Sequence, residues 1–394
     1  MFMDFLQKFK NNNNNNNKQG TLQRVCLACF KHFYIILSFC LLAISIICYK
    51  LCEKNMGFAN FFTYNIARPL RIFLANITSF FPFSIGEVLV LGVIIIPVIK
   101  LTSYCILIFR KKCGAFKGLI VFMLRYFSFI ILFFSICICN FFVLYKQPAL
   151  AKQFNFDTKE ITPQNLYDTA TVCANTANKY AENQLFLPSG ASIIPYSHKE
   201  LCKILNMSYL SLSKRFEFIT PMISNVKPLA VSPLMTYTHI SGMYMPFSGE
   251  ANVNTNYPDY VVAFTFAHEM AHQRGIASED EANFMGFLAM INSKDDYLIY
   301  SASMTMLDYL LPELYKANAE MHQSVLQRLG KLPNGENYAY GQFFKKYSSS
   351  KASQVASKVN DTYLKTQGKQ AGIQSYSECI KLLVAYFKNS SVIK

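Results

Sequence analysis

Three stretches of the chain hold apolar positions almost without interruption. His32–Tyr49 runs for 18 residues without a charge, which is long enough for a membrane-crossing helix. Val88–Phe109 is a second such stretch, broken only by Lys100, and Tyr126–Tyr145, entered from around Gly118, is a third. The pattern therefore predicts spans over about 32–49, 88–109 and 120–145. Between the first two, 58–83 is aromatic-rich but carries Arg68 and Arg71, so it is expected to lie in the membrane interface rather than cross.

After residue 146 the pattern becomes that of amphipathic helices. Thr162 and Pro163 form a helix start for Gln164–Tyr180, and Ser197-x-x-Glu200 is a capping box for a helix running towards Arg215. Further helical patterns follow Asn292, with Pro312 restarting one and Ala352–Gln367 and Tyr376–Phe387 closing the domain. Between Pro228 and Tyr257 the character changes. Thr236, Thr238 and the residues around Ile240 and Tyr244, then a Pro246–Gly249 turn and Ala251–Asn254, predict a short hairpin.

Composition agrees with a membrane part joined to a second domain, since 52% of the 394 residues are apolar. The net charge of +15 is uneven: residues 1–146 hold 16 Lys and Arg against 3 Asp and Glu, the remainder 22 against 20. The basic excess thus belongs to the membrane half and is no argument for nucleic acid. Residues 1–31 are polar and basic, with the run Asn11–Asn17, and read as a disordered tail on the cytoplasmic side. The first span reads as a retained signal anchor, with no small-residue cleavage site. Basic residues precede the first span and fill Arg110–Lys117, so both loops are expected in the cytoplasm, and residues 147–394 outside it. Nine of the twelve cysteines lie in residues 1–146 as small apolar fillers. Cys173, Cys202 and Cys379 make at most one disulfide, and Cys26-x-x-Cys29 lacks the second pair that a metal site needs.

Candidate chemistry is concentrated in 265–283, TFAHEMAHQRGIASEDEAN. His268 and His272 are four apart, so on a helix they share one face about 5–6 Å apart and suit two imidazoles on one zinc ion. Glu269, beside the first ligand, can accept a proton from water on the metal and return it to a leaving amine. Ala267, Met270, Ala271 and Gln273 are uncharged, as a buried metal-bearing helix requires, while Arg274 departs from the apolar residue usual there in zinc peptidases. Gly275 permits the positive φ that turns the chain out of the helix.

The third ligand has three candidates in Glu279, Asp280 and Glu281. Ser278 and Glu281 read as a capping box for the next helix, and acids in its first turn suit the helix dipole. Glu279 is followed at i+3, i+4 and i+7 by Ala282, Asn283 and Gly286, a small-residue stripe that permits close approach of another helix. Such a face aims Glu279 at the metal and leaves Asn283 to hydrogen-bond a ligand from behind.

HExxH followed by E-x-x-A-N resembles the glutamate-zincins, or gluzincins, and the resemblance implies Glu279 as third ligand and Asn283 as its supporting residue. The six residues between His272 and Glu279 are few for that clan. The HExxHxxG turn also resembles the metzincins, whose third histidine falls here at Ser278, which cannot serve. Over most of its length the chain resembles the bacterial membrane-protein family of domain of unknown function 3810: hydrophobic N-terminal spans with PFSIGE (82–87), SGEANVN (248–254), AHEMAHQRGIASEDEANF, NDTYLKTQG and SYSECIKLLVAYF. That family implies the architecture and a metalloprotease-like site, and no substrate.

The expected fold class is therefore an α-helical membrane protein with about three transmembrane helices (32–146) and a mainly helical α+β, zincin-like extracytoplasmic domain (147–394). The site expected is one zinc ion on His268, His272 and Glu279, with Glu269 catalytic, Asn283 behind the ligands, and Ala251, Asn252, Val253 and Asn254 as a substrate-pairing edge strand. His239, Tyr300 and Tyr376 are the residues of a kind to stabilise an oxyanion. The expected partners are the lipid bilayer and a peptide or protein substrate. Two functions follow, a membrane-anchored zinc metallopeptidase or a non-catalytic sensor or assembly factor with a structural zinc site, and Glu269 discriminates, because a structural site has no use for that carboxylate.

Overall fold

The computed structural model describes residues 17–348 and 377–389, with side chains from Phe33 onwards. It is mostly helical and divides into two compact units. The first takes the described part of Met1–Cys48 together with Ile95–Ile136, and the second takes Tyr49–Ile94 and the described part of Cys137–Lys394. Among the described residues, three helices are long and apolar enough to cross a membrane: α1 (Asn17–Lys54), α4 (Ile85–Phe109) and α5 (Ala115–Asn140), with α2 and α3 between the first two. α1 begins inside the stretch expected to be disordered, whereas residues 1–16 lie outside the described ones. In the first unit serine side chains of these helices turn back on their own backbone, as lipid favours: Ser38 Oγ donates to Ile35 O at 2.8 Å and Ser135 Oγ to Ile131 O at 2.8 Å.

In the second unit the segment expected at the membrane interface folds as α2 (Met56–Phe62), a π-helical turn (Thr63–Ala67) and α3 (Arg68–Ser79). α3 has two faces. Ala67, Arg71, Ala75 and Thr78 are buried against the domain, while Ile66, Phe73, Ile77 and Phe80 are exposed. At the start of α4, Ser84 Oγ accepts Glu87 N at 3.0 Å, and the carboxylate of Glu250 accepts Ile85 N at 3.0 Å and Gly86 N at 2.5 Å. Glu250 also takes Lys227 Nζ at 2.5 Å, and Glu87 accepts Ala230 N and Val231 N at 3.0 and 2.9 Å. PFSIGE and SGEANVN are thus two halves of one buried polar junction, in which a carboxylate satisfies orphan amides at a helix N-terminus.

After a short 3₁₀ turn and α6 (Leu150–Gln153), the larger helices follow: α7 (Pro163–Ala181), α8 (His198–Ser213), α9 (Ser232–Thr236), α10 (Asp259–Gln273), α11 (Glu279–Ser293), α12 (Asp296–Ala317), α13 (Ala319–Arg328), α14 (Lys331–Tyr347) and α15 (Glu378–Lys388). Both predicted caps form: Thr162 with Asn165 opens α7, and Ser197 with Glu200 opens α8. Pro312 does not restart a helix but lies inside α12, and the Ala352–Gln367 helix falls outside the described residues. One core joins α7, α8, α10, α11, α12 and α15 through residues such as Leu166, Leu205, Phe266, Phe284, Tyr300 and Leu383. Cys173, Cys202 and Cys379 are buried in it, and no disulfide joins any two of them.

Strands are few. β1 (Leu185–Phe186) pairs with β2 (Ser192–Ile193), and β3 (Val226–Pro228), β4 (Gly242–Met245) and β5 (Glu250–Val253) form a sheet in the order β3-β5-β4. The β4–β5 pair is the predicted hairpin, although it starts at Gly242, because 232–236 is helical. β5 runs parallel to β3 and antiparallel to β4.

Candidate metal centre

α10 is buried almost all round and carries both histidines on one face. It ends where sequence expected, with Gly275 at φ 103°. Gly275 N donates to His272 O at 3.0 Å and Ile276 N to Ala271 O at 3.2 Å, the two bonds of a Schellman stop. The chain reverses and α11 returns against α10. Contact is close because Gly286 has no side chain: a Cβ there would lie 3.2 Å from His268 N. Tyr209 ties the pair from α8, its hydroxyl donating to Ala267 O at 2.7 Å.

This packing brings together His268, His272 and Glu279, whose ligand atoms lie within 4.8 Å of one another. The two Nε2 atoms are 3.1 Å apart, and Glu279 Oε2 is 3.2 Å from His268 Nε2 and 3.4 Å from His272 Nε2. A tetrahedral zinc with bonds of about 2.0–2.1 Å separates its ligands by roughly 3.3 Å, so the triangle fits that ion. His272 Nδ1 lies 2.7 Å from Ile276 O. A hydrogen on Nδ1 for that carbonyl leaves Nε2 with its lone pair towards the triangle. The rings of Phe141 and Tyr244 pack on His272 at 5.7 and 6.4 Å.

Electrostatics point the same way. Burial opposes the charged form of His272, yet Glu279 beside it takes its pKa up to about 9. Burial would raise the carboxyl of Glu279, but His272 and His268 outweigh it and hold it far below the carboxylate range. An ionised carboxylate facing two imidazoles is a site for a cation. Glu269 stands next to it, 4% exposed, with Oε2 lacking any hydrogen-bond partner. Burial, reinforced by Glu279 and opposed by both histidines, lifts its pKa to about 7.

The neighbouring acids are engaged elsewhere. Asp280 Oδ2 accepts Glu378 N at 3.3 Å, and Glu281 Oε1 accepts Leu150 N at 2.6 Å. The capping box expected of Ser278 and Glu281 is not formed, since Ser278 makes no side-chain cap, and Glu281 serves a second helix start instead. Asn283 is buried on α11, but its side chain makes no hydrogen bond to the three ligands among the described residues. The supporting role expected of it falls to the carbonyl of Ile276. Arg274, the departure from an apolar residue, is buried over the ring of Tyr209 at 4.5 Å and donates to Asn206 Oδ1 at 2.6 Å and Met222 O at 3.2 Å.

The strand Ala251–Asn254 cannot be an edge. β5 is bonded on both sides and its residues are buried, so its amides and carbonyls are spent. The edges are β3 and β4, and the first residue of β4, Gly242, lies against Glu269: a Cβ there would sit 2.5 Å from Glu269 Oε1. Sequence reasoning missed both Gly242 and the three-residue strand β3 that closes β5. Among the oxyanion candidates, Tyr300 donates to Glu336 Oε2 at 3.1 Å within the core, His239 stacks on Phe344 at 4.7 Å, and Tyr376 lies outside the described residues.

Fold and site together define a class: a mostly helical protein with three helices fit to cross a membrane and a His-His-Glu cluster on two packed helices. More narrowly, the family model described as protein of unknown function (DUF3810) matches residues 62–384, and the chain belongs to that family. Comparison with curated proteins and with solved structures gives no match.

Proposed function

We propose that this chain is a membrane-anchored zinc metallopeptidase, with a zincin-like domain in residues 147–394 and a gluzincin-like centre on His268, His272 and Glu279. The observation that carries the reading is Glu269, a buried carboxylate beside the first ligand whose Oε2 has no partner. An unpartnered buried carboxylate oxygen is costly, and a site that only stapled two helices would have no need of it. Three protein ligands also leave a fourth position open, as catalytic rather than structural zinc requires.

His268, His272 and Glu279 would hold the zinc ion, which would supply Lewis-acid chemistry at a carbonyl or a water. Glu269 is placed to hold a proton on Oε2 and to give it up to a departing amine. Gly242 keeps the carboxylate in place, since any side chain at that position would displace it. An extended peptide pairs with the edge β4 rather than with β5, which lays it alongside Glu269. The basic loops before the first span and at Arg110–Lys117 favour an extracytoplasmic domain and a cytoplasmic N-terminus.

The test uses the purified full chain in detergent micelles. Wild type should carry one zinc per chain and cleave a denatured protein mixture, and Glu269→Gln should keep the zinc and lose about 10²–10⁴-fold in rate. Zinc-loaded wild type with no more cleavage than Glu269→Gln would count against the reading.

A further inference from the structure

On another side of the Gly275 turn is a cavity of about 170 Å³. Its walls include the π-helical turn (Thr63, Tyr64), Arg68, Arg71, and the turn residues Gly275 and Ser278. Several waters would fill such a volume, and so would a phosphate group. π-helical turns occur frequently at functional sites.

The two arginines make the cavity unusual. Arg71 is 1% exposed, yet its partners are neutral oxygens: Asn140 O at 3.0 Å and Thr220 Oγ1 at 3.2 Å. Arg68 donates to Glu217 O at 2.6 Å and lies over the ring of Tyr64 at 4.4 Å. Both Nε atoms are buried without a partner. No carboxylate among the described residues comes within ion-pair distance of either guanidinium; the acid lining the cavity, Glu281, accepts Leu150 N. A guanidinium as buried as that of Arg71, with no anion beside it, is unfavourable by several kcal/mol, and the planar forks of two arginines in one cavity wall match the oxygens of phosphate. The outer face of α3, with Ile66, Phe73, Ile77 and Phe80 exposed, suits the headgroup region of a bilayer, where phosphate is abundant.

We propose that this cavity binds a phosphate-bearing anion, with Arg68 and Arg71 as its donors. The site is separate from the metal centre, although Gly275 belongs to the turn that follows His272. Its ligand is either a phospholipid headgroup or a free phosphate.

The experiment follows thermal unfolding of the full chain in maltoside micelles, which contain no phosphate. One arm adds inorganic phosphate against chloride at equal ionic strength, and the other adds short-chain phosphatidylglycerol against a phosphate-free glycolipid. Wild type and the surface control Lys331→Gln should be stabilised in at least one arm. Arg68→Gln should weaken the apparent affinity about tenfold or more, and Ala149→Trp, which fills the cavity from its exposed rim, should abolish the response. Stabilisation by inorganic phosphate assigns a free anion, and stabilisation by phosphatidylglycerol alone assigns a lipid headgroup. The proposal is overturned if neither arm shifts wild type, or if Arg68→Gln and Ala149→Trp respond as wild type does.

Discussion

Replacing Gly286 by alanine tests how the metal centre is assembled. The added Cβ would lie 3.2 Å from His268 N and 3.4 Å from His268 Cα, inside the ordinary separation of about 3.5–4.0 Å. Both contacts are backbone, so no rotamer relieves them, and α10 and α11 must part by a few tenths of an ångström. Ligand distances in a zinc site tolerate only about 0.2 Å. Glu279 rides on α11 and the histidines on α10, so parting the helices loosens the triangle, and a loss of about 10–100-fold in zinc affinity is expected. Folding stability should move the other way or hardly at all, because Gly→Ala within a helix contributes about 0.5–1 kcal/mol, enough to offset part of the strain. Gly286→Val should weaken zinc further and cost about 1–3 kcal/mol by overpacking. Titration with a competing chelator gives the affinity, and unfolding in excess chelator gives the stability. Unchanged zinc affinity in both variants would refute the argument that helix approach at Gly286 sets the ligand geometry.

Three further outcomes follow from particular contacts. Glu279→Gln should lose stoichiometric zinc, whereas Glu281→Gln should keep it and lose about 1 kcal/mol of stability as a neutral amide oxygen replaces the charged acceptor of Leu150 N; metal analysis of both purified proteins distinguishes them. Glu250→Gln should destabilise the domain by about 3–5 kcal/mol in chemical denaturation, because it leaves Lys227 buried and unpaired, and an unaltered midpoint would deny the junction its role. Burial raises the pKa of Glu336, which accepts Ser192 N at 3.0 Å. Its proton is therefore held more tightly in the folded than in the unfolded chain. The stabilisation is full below the ordinary glutamate pKa and is lost as pH rises through the raised one. Comparing the pH dependence of unfolding with that of Glu336→Gln should show this slope in wild type alone.

What could be read from the sequence was what depends on near neighbours along the chain. The histidine pair needs only helical spacing, the stop at Gly275 needs only a residue free to take positive φ, and the approach of Glu279 was visible in the stripe ending at Gly286. Thr162 and Ser197 cap helices three residues away, and both caps form. The failures are long-range. Ser278 and Glu281 have the spacing of a capping box, but the amide of Leu150, 131 positions away, takes the carboxylate. Ala251–Asn254 has the pattern of an edge strand, but Val226–Pro228 pairs with its other side, and a strand of three residues leaves no periodic signal. Pro312 reads as a helix start because proline lacks an amide, yet α12 continues through it. Glu87 and Glu250 reveal no purpose until the loops they hold are brought together.

A peptidase requires that Glu269 does chemistry and does not merely accompany a metal. The most direct test of this compares the membrane and secreted proteins of cells carrying wild type, Glu269→Gln, His268→Ala and a deletion. If the chain is a peptidase, the same fragments should vanish in all three altered strains, and an uncleaved protein should co-purify with Glu269→Gln, which keeps its zinc and lacks only the proton acceptor. A Glu269→Gln strain that matches wild type in every fragment, while His268→Ala matches the deletion, would contradict the account and leave the metal as a structural staple.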